Sequence, residues 1–326
     1  MEKDLTLLMP MYNKAPYIDR CVKSLSEQTY LDRTKIIVCD DKSTDNSIEI
    51  LKQSAEKYRV PMILMMNREN LGLSRTIRNL YRKLDTDFWA VLDPDDYYIH
   101  PERLSRAVEF LKANPDFSMH ACNCYWQKKE GIALGFNPNV DKIVFEKYSE
   151  MNLFAQTSSA TFRNFWNDEI LSYIEQFVGN QRFSVAQGDT FRNFVAIHYG
   201  KIYYDNFIGS FYTFQESGIW STLSDFEHGL MSIQSNLDLA KFARDFFHDT
   251  DSTMLFIRLS AHAYFKAIDT LHTMMNDLMS MDLHMKRYAV GICKLDGTDI
   301  DSVFRFLIEK SKELRALGVA RVIKKS

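Results

Sequence analysis

The chain has 326 residues, a net charge of -3 at pH 7, 46% apolar residues and 25% charged residues, which excludes a disordered chain and leaves room for one large domain with an appendage, or for two domains. Without a long basic stripe, nucleic acid is not the expected partner, and no run approaches the roughly 18 uncharged apolar residues of a membrane span. Five scattered cysteines (Cys21, Cys39, Cys122, Cys124, Cys293) behind a start of Met1-Glu2-Lys3-Asp4 predict a reduced, cytoplasmic protein.

Leu5 to Met9 is an apolar run stopped by Pro10, the pattern of a strand buried on both faces of a parallel sheet. A loop through Met11-Tyr12-Asn13 leads to a helix over Tyr17 to Thr29, and Lys35 to Cys39 repeats the strand pattern before Asp40-Asp41-Lys42-Ser43-Thr44-Asp45. Ser43 or Asp45 is placed to cap the next helix. Met62 to Met66 is the third strand, followed by Asn70, Gly72 and a helix through Ile77, Leu80 and Leu84, and Phe88 to Leu92 is the fourth. Strands alternating with helices at this spacing predict βαβ units. Ligands of such sheets bind beyond the carboxyl ends of the strands, where Asn13, Asp40, Asp41, Asn70 and Asp93 to Asp96 all fall.

The fourth strand ends in Asp93-Pro94-Asp95-Asp96. Three carboxylates this close repel unless a cation joins them, which points to a Mg2+ or Mn2+ site shared with substrate phosphates. An Asp/Pro turn ahead of the helix at Pro101 is the structural alternative. No Gly-rich phosphate loop occurs, so a diphosphate would be held by metal and side chains.

Leu7 to Asn13, Val38 to Asp45, Asn70-Leu71-Gly72-Leu73-Ser74 with Arg78-Asn79, and Leu92 to Asp96 resemble, in order and spacing, the motifs of family 2 glycosyltransferases. The resemblance implies a GT-A fold, an α/β Rossmann-like sheet flanked by helices, and inverting transfer from a nucleotide-diphosphate sugar, most simply a UDP-sugar. It implies that Pro10, Tyr12 and Asn13 border base and ribose, that Asp41 or Asp40 hydrogen-bonds the base, and that Asn70, Ser74 and Arg78 lie near base or diphosphate. Asp93 and Asp95 become the DxD pair, with Asp96 supporting the ion. Asp41 has an alternative as an Asx-turn residue.

A helix over Pro101 to Ala113 and a strand over Phe117 to Trp126 follow, with Cys122 and Cys124 read as packing rather than as metal ligands. Ser158 to Arg163 resembles the family's return strand. Inversion needs a general base, and Asp189 resembles the second member of the family's Glu-Asp pair, with Gly188 in place of the glutamate; capping the helix Thr190 to His198 is its other role. Gly209 to Ser221, with Gln215 and Trp220, resembles the segment that covers the donor phosphates. Trp220 either stacks on a sugar ring or is a buried aromatic.

From about Ser224 glycine and proline nearly vanish, predicting a catalytic domain over 1–222 and a helical region over 223–326. Apolar spacing runs through Leu237, Ala240, Phe242 and Phe246, then through Leu255, Leu259, Ala263 and Ile268. Segment 300–326 is amphipathic and basic, which suits an anionic membrane surface carrying a lipid-linked acceptor, a solvated terminal helix or a homodimer contact. The whole reads as a glycosyltransferase acting on a glycan or lipid-linked acceptor in bacterial surface polysaccharide, lipopolysaccharide or capsule assembly. A sugar-phosphate nucleotidyltransferase and a non-catalytic nucleotide- or glycan-binding scaffold are the alternatives.

Overall fold

A computed structural model describes residues 2–128, 131–136, 143–151, 155–178, 188–215, 225–280, 308–309 and 312. In chain order the elements are β1 (Leu5–Met11), α1 (Ala15–Ser26), β2 (Thr34–Asp40), α2 (Ser47–Tyr58), β3 (Ile63–Met66), α3 (Leu73–Tyr81), β4 (Phe88–Val91) and β5 (Tyr97–Tyr98). Next come α4 (Arg103–Ala113), β6 (Phe117–Lys128), β7 (Gly131–Leu134), β8 (Val144–Phe145), β9 (Ala160–Arg163), α5 (Asp168–Val178), α6 (Asp189–Ile197) and β10 (Lys201–Tyr212). Two long helices, α7 (Asp225–Asp245) and α8 (Thr250–Ser280), close the described chain.

The strands form a single mixed sheet of order β3-β2-β1-β4-β9-β6-β10-β5, with β7 on β6 and β8 on β10. Strands β1 to β4 are parallel, as the βαβ spacing predicts. β9 runs antiparallel between β4 and β6, so the return strand is inserted at the centre of the sheet. Every residue of β1 and β4 is buried, which explains a sequence that is apolar but for Thr6, whose hydroxyl lies 2.7 Å from Thr86 Oγ1. β3 is the edge strand and only half buried, leaving Ile63 and Met66 exposed.

Behind the sheet, Trp89 of β4 is fully buried, stacked on Phe162 at 4.3 Å and edge-on to Tyr81 at 5.3 Å. Tyr81 in turn stacks on Trp166 at 4.1 Å. These rings join α3 to the central strands. Cys21, Cys39, Cys122 and Cys124 are all free and buried, consistent with packing roles for Cys122 and Cys124, whereas Cys293 lies outside the described residues.

The chain divides into two compact units, Met1–Gly179 with Ala186–Glu216, and Asn180–Val185 with Ser217–Ser326. The first carries the sheet. In the second, α7 buries Leu230, Ile233, Leu237 and Ala240, and Ser260 of α8 donates to the Ile233 carbonyl at 2.9 Å. The buried face of α8 runs through Ser252, Thr253, Phe256, Ile257, Ser260 and Ala267, while Leu259 is exposed. It is thus displaced from the predicted apolar stripe, with Ser260 rather than a leucine at the contact with Ile233. Segment 300–326 and Trp220 lie outside the described residues apart from positions 308, 309 and 312. Among the described residues no helix is long and apolar enough to cross a membrane.

Candidate active site

Parallel register decides where the polar loops go. Met11 lies opposite Asp40, Asp40 opposite Met66, and Leu8 opposite Val91, so four loops leave the sheet at the same edge. The first two loops are laced together. Asn13 adopts a left-handed backbone (φ 50°), its N–H donates to Ser43 Oγ at 3.0 Å, and its Oδ1 accepts the Thr44 N–H at 2.8 Å. Asp40 is buried and accepts both the N–H (3.0 Å) and the hydroxyl (2.5 Å) of Ser43. Pro10 is buried in β1, and Tyr12, 43% exposed, stands at the mouth.

Asp41 holds the third loop. Its Oδ1 accepts Asn67 Nδ2 and the Leu71 N–H, each at 2.8 Å, and its Oδ2 accepts the Gly72 N–H at 2.8 Å. Gly72 has φ +79°, a conformation that favours glycine, and Asn70 Oδ1 lies 3.1 Å from the same N–H. Asp40 and Asp41 are therefore loop-forming carboxylates, whatever else they contact. Ser74 and Arg78 follow on α3, where the Arg78 guanidinium is partly buried and its Nε has no hydrogen-bond partner. Burial lowers the Arg78 pKa.

At the fourth loop the carboxylates meet their cations. Lys14 Nζ lies 2.8 Å from Asp95 Oδ2 and 3.0 Å from Gln215 Oε1, and Gln215 Nε2 donates to the same Asp95 oxygen. Arg20 donates to the Asp95 carbonyl at 3.2 Å and to Thr213 Oγ1 at 2.9 Å, and lies 4.2 Å above the Tyr97 ring. Asp96 is buried, with its Oδ1 accepting the Thr213 N–H at 2.9 Å. Burial and then the neighbouring Asp95 push the Asp93 carboxyl up to about 7, and burial followed by Asp95 and Asp93 raises Asp96 well above the usual carboxylate range.

Among the described residues, no group of three or more His, Cys, Asp or Glu converges to cage a metal. Asp95 Oδ1, however, is buried without a hydrogen-bond partner. A hard oxygen donor left open beside two further carboxylates fits Mg2+ or Mn2+ completed by substrate oxygens, and does not fit a self-sufficient protein cage.

Asp189 reaches the same neighbourhood. With Arg192 opposing, it adds to the electrostatic environment of Asp93. It occupies the first turn of α6, and Gly188 is the N-cap, so Asp189 does not cap that helix with its side chain. Its Oδ1 instead accepts from Thr157 Oγ1 and from the buried Arg192 guanidinium, which also lies 2.8 Å from Thr157 Oγ1. Sequence reasoning assigned no role to Lys14, Arg20, Thr157, Arg192 or Thr213. Lys14 had a legible signal, a lone cation directly after Asn13 at the binding edge, and so did Arg192, three residues after Asp189 on one helix; Arg20, Thr157 and Thr213 are joined to the site only by tertiary contacts.

Residues 6–166 match the family model described as glycosyl transferase family 2. The chain is 32% identical over 127 residues to an uncharacterized glycosyltransferase, YibD, of Escherichia coli, covering 39% of this chain and 35% of that protein. It is 29% identical over 113 residues to a processive diacylglycerol beta-glycosyltransferase of Mycoplasma pneumoniae, covering 34% and 33%. The aligned part thus spans about a third of either relative. Among solved structures, the mannosyltransferase PcManGT of Pyrobaculum calidifontis, in complex with GDP-Man and Mn2+, aligns with TM-score 0.55 at 16% identity over 100% of this chain and 89% of that one. S. aureus TarS 1-349 in complex with UDP-GlcNAc aligns with TM-score 0.55 at 15% identity over 82% and 89%. With four motif-bearing loops gathered at the carboxyl edge of a mixed α/β sheet, and with the family match covering all four, residues 6–166 form a glycosyl transferase family 2 domain, and the fold is GT-A.

Proposed function

We propose that the protein is an inverting, metal-dependent glycosyltransferase that moves a hexosyl or N-acetylhexosaminyl group from a nucleotide-diphosphate sugar, most simply a UDP-sugar, to a glycan or lipid-linked acceptor. The observation that carries the reading is the Asp93–Asp95–Asp96 cluster at the carboxyl edge, with one buried oxygen of Asp95 left open. The donors bound by PcManGT and TarS, GDP-Man and UDP-GlcNAc, support the donor class, and the Mn2+ bound by PcManGT supports the metal. The relatives in glycolipid and poly(ribitol-phosphate) glycosylation support a role in bacterial surface polymers.

In this reading Pro10, Tyr12 and Asn13 border the base and ribose, with Asp40 and Asp41 fixing the loops that close round them, while Asn70, Ser74 and Arg78 lie toward the base and diphosphate. Asp93 and Asp95, supported by Asp96, hold Mg2+ or Mn2+, which when bound supplies positive charge to the leaving diphosphate. The acceptor oxygen forms a bond to the anomeric carbon on the face opposite the diphosphate, and the bond from that carbon to the phosphate oxygen breaks. The hydroxyl proton passes to Asp189. Arg192 and Thr157 both donate to Asp189 Oδ1, which leaves Oδ2 to take the proton and fixes the direction in which it points. An acceptor at a membrane surface gives the basic segment 300–326 a use there.

Calorimetric titration with UDP, GDP and CDP, each with and without Mn2+, tests the reading. Metal-dependent binding of one nucleotide supports it and selects the donor base. A folded protein that binds none of the three defeats it in favour of a non-catalytic scaffold.

A further inference from the structure

Resting on that donor-site reading, we propose that Lys14 is the site's resident cation: it neutralises Asp95 before metal arrives, must be displaced when the metal binds, and thereby makes metal binding depend on the nucleotide. Lys14 is anchored at its backbone. Its N–H donates to Ser47 Oγ at 2.7 Å, and Ser47 is itself held by Asp45 Oδ1 at 2.5 Å through its hydroxyl and 3.0 Å through its N–H. The ends of α1 and α2 are therefore tied together, and the side chain is the part free to move. Its ammonium lies 2.8 Å from Asp95 Oδ2, with both side chains mostly but not wholly buried (21% and 16% exposed). Gln215 bonds both partners, accepting from Lys14 and donating to Asp95. The second Asp95 oxygen has no partner.

A divalent ion bound to this carboxylate stands within a few ångströms of the ammonium, and like charges at that separation in a partly buried site repel strongly. The ammonium then has to leave Asp95, and its cost of leaving falls when another anion is present to receive it. A nucleoside diphosphate brings such an anion. Metal alone bears the full loss of the Lys14 pair, whereas metal with nucleotide does not, so the two ligands bind cooperatively, each raising the affinity for the other by the same factor. Arg20 does not share this role. It is held on the Asp95 carbonyl and Thr213, away from the carboxylate.

The experiment is Mn2+ binding followed by electron paramagnetic resonance of free Mn2+, with and without UDP, on the full chain and on Lys14→Met, Lys14→Arg and Asp95→Asn. Lys14→Met should bind Mn2+ alone about tenfold tighter than the parent, the scale of one lost charge-assisted hydrogen bond, and the enhancement of Mn2+ affinity by UDP should shrink by a similar factor. Lys14→Arg keeps the charge and should keep the weak Mn2+ affinity and the cooperativity. If the parent shows UDP-dependent Mn2+ binding that Asp95→Asn abolishes, yet Lys14→Met binds Mn2+ no tighter, the resident-cation role is overturned and the donor-site reading stands. If the parent binds no Mn2+ with any of UDP, GDP or CDP, both fall together.

Discussion

Adding one methyl group at Gly209 tests how rigidly the carboxylate loop is supported from behind. A Cβ there would sit 2.7 Å from Cys122 Sγ, 2.8 Å from Arg103 Cδ and 3.1 Å from Phe207 Cε1. None of the first two neighbours can withdraw easily. Arg103 is fully buried, with Nη1 2.7 Å from Thr161 Oγ1, Nη2 3.2 Å from the Ser158 carbonyl and its guanidinium 5.3 Å from the Tyr98 ring centroid. Cys122 is buried in β6. The Gly209 carbonyl also accepts the Ile99 N–H at 3.0 Å, where β5 pairs with β10 immediately after Asp96. Overpacking of a close-packed interior costs about 1–3 kcal/mol, and two contacts below 3.0 Å against anchored atoms put Gly209→Ala near the upper end, about 3 kcal/mol. Urea unfolding followed by tryptophan fluorescence measures it. Removing the sulfur relieves the worst contact, so Gly209→Ala with Cys122→Ala should be at least about 1 kcal/mol more stable than additivity predicts. A Gly209→Ala protein within about 0.5 kcal/mol of the parent, or strict additivity in the double variant, would refute the packing argument.

Asp189→Asn keeps an oxygen for Thr157 and Arg192 but cannot take a proton; nucleotide affinity should stay within about threefold while kcat falls roughly 10²–10⁴-fold, the usual worth of a general base. Asp41→Ala strips the acceptor from Asn67, Leu71 and Gly72; because that loop is partly exposed and water can reach its freed donors, the stability loss should be about 2 kcal/mol rather than the sum of three bonds, with KM for the donor rising more than kcat falls. Asp4 is opposed by burial, yet hydrogen bonds from Lys112 (2.5 Å), Arg33 (2.5 Å) and Tyr30 (3.0 Å) outweigh it and lower the carboxyl's pKa. Since the folded pKa is the lower one, this contribution is complete above the unfolded value of about 3.9 and is lost as pH falls through the folded value. The stability gap between the parent and Asp4→Asn, about 1–2 kcal/mol at pH 6 after allowing for the two partly exposed cations, should therefore narrow steadily below about pH 4 in urea titrations.

What the sequence made legible follows from which interactions are local. A strand buried on both faces is apolar except where a buried hydroxyl finds a partner, as Thr6 does in Thr86, so β1, β2 and β4 announce themselves by nearly continuous apolar runs, and the polar residues that follow each run mark the binding edge. The carboxylate cluster is legible for the same reason, because its electrostatic cost is contained in four consecutive residues. Arg103 shows the opposite case. On a helix with a clear apolar stripe a charged residue reads as solvated, and only Thr161 and the Ser158 carbonyl, 58 and 55 positions away, make it affordable inside. The cations of the site are hidden likewise: Lys14 finds Asp95 across 81 positions and Arg20 finds Thr213 across 193. Asp189 stands between the two cases: Arg192, one of the partners that aim its carboxylate, lies three residues on in the legible helix α6, whereas Thr157 emerges only when the turn before β9 is brought beside it. A sequence therefore displays the acids that a cation must neutralise more readily than it displays the cation the protein itself provides, as Lys14 beside Asp95 illustrates.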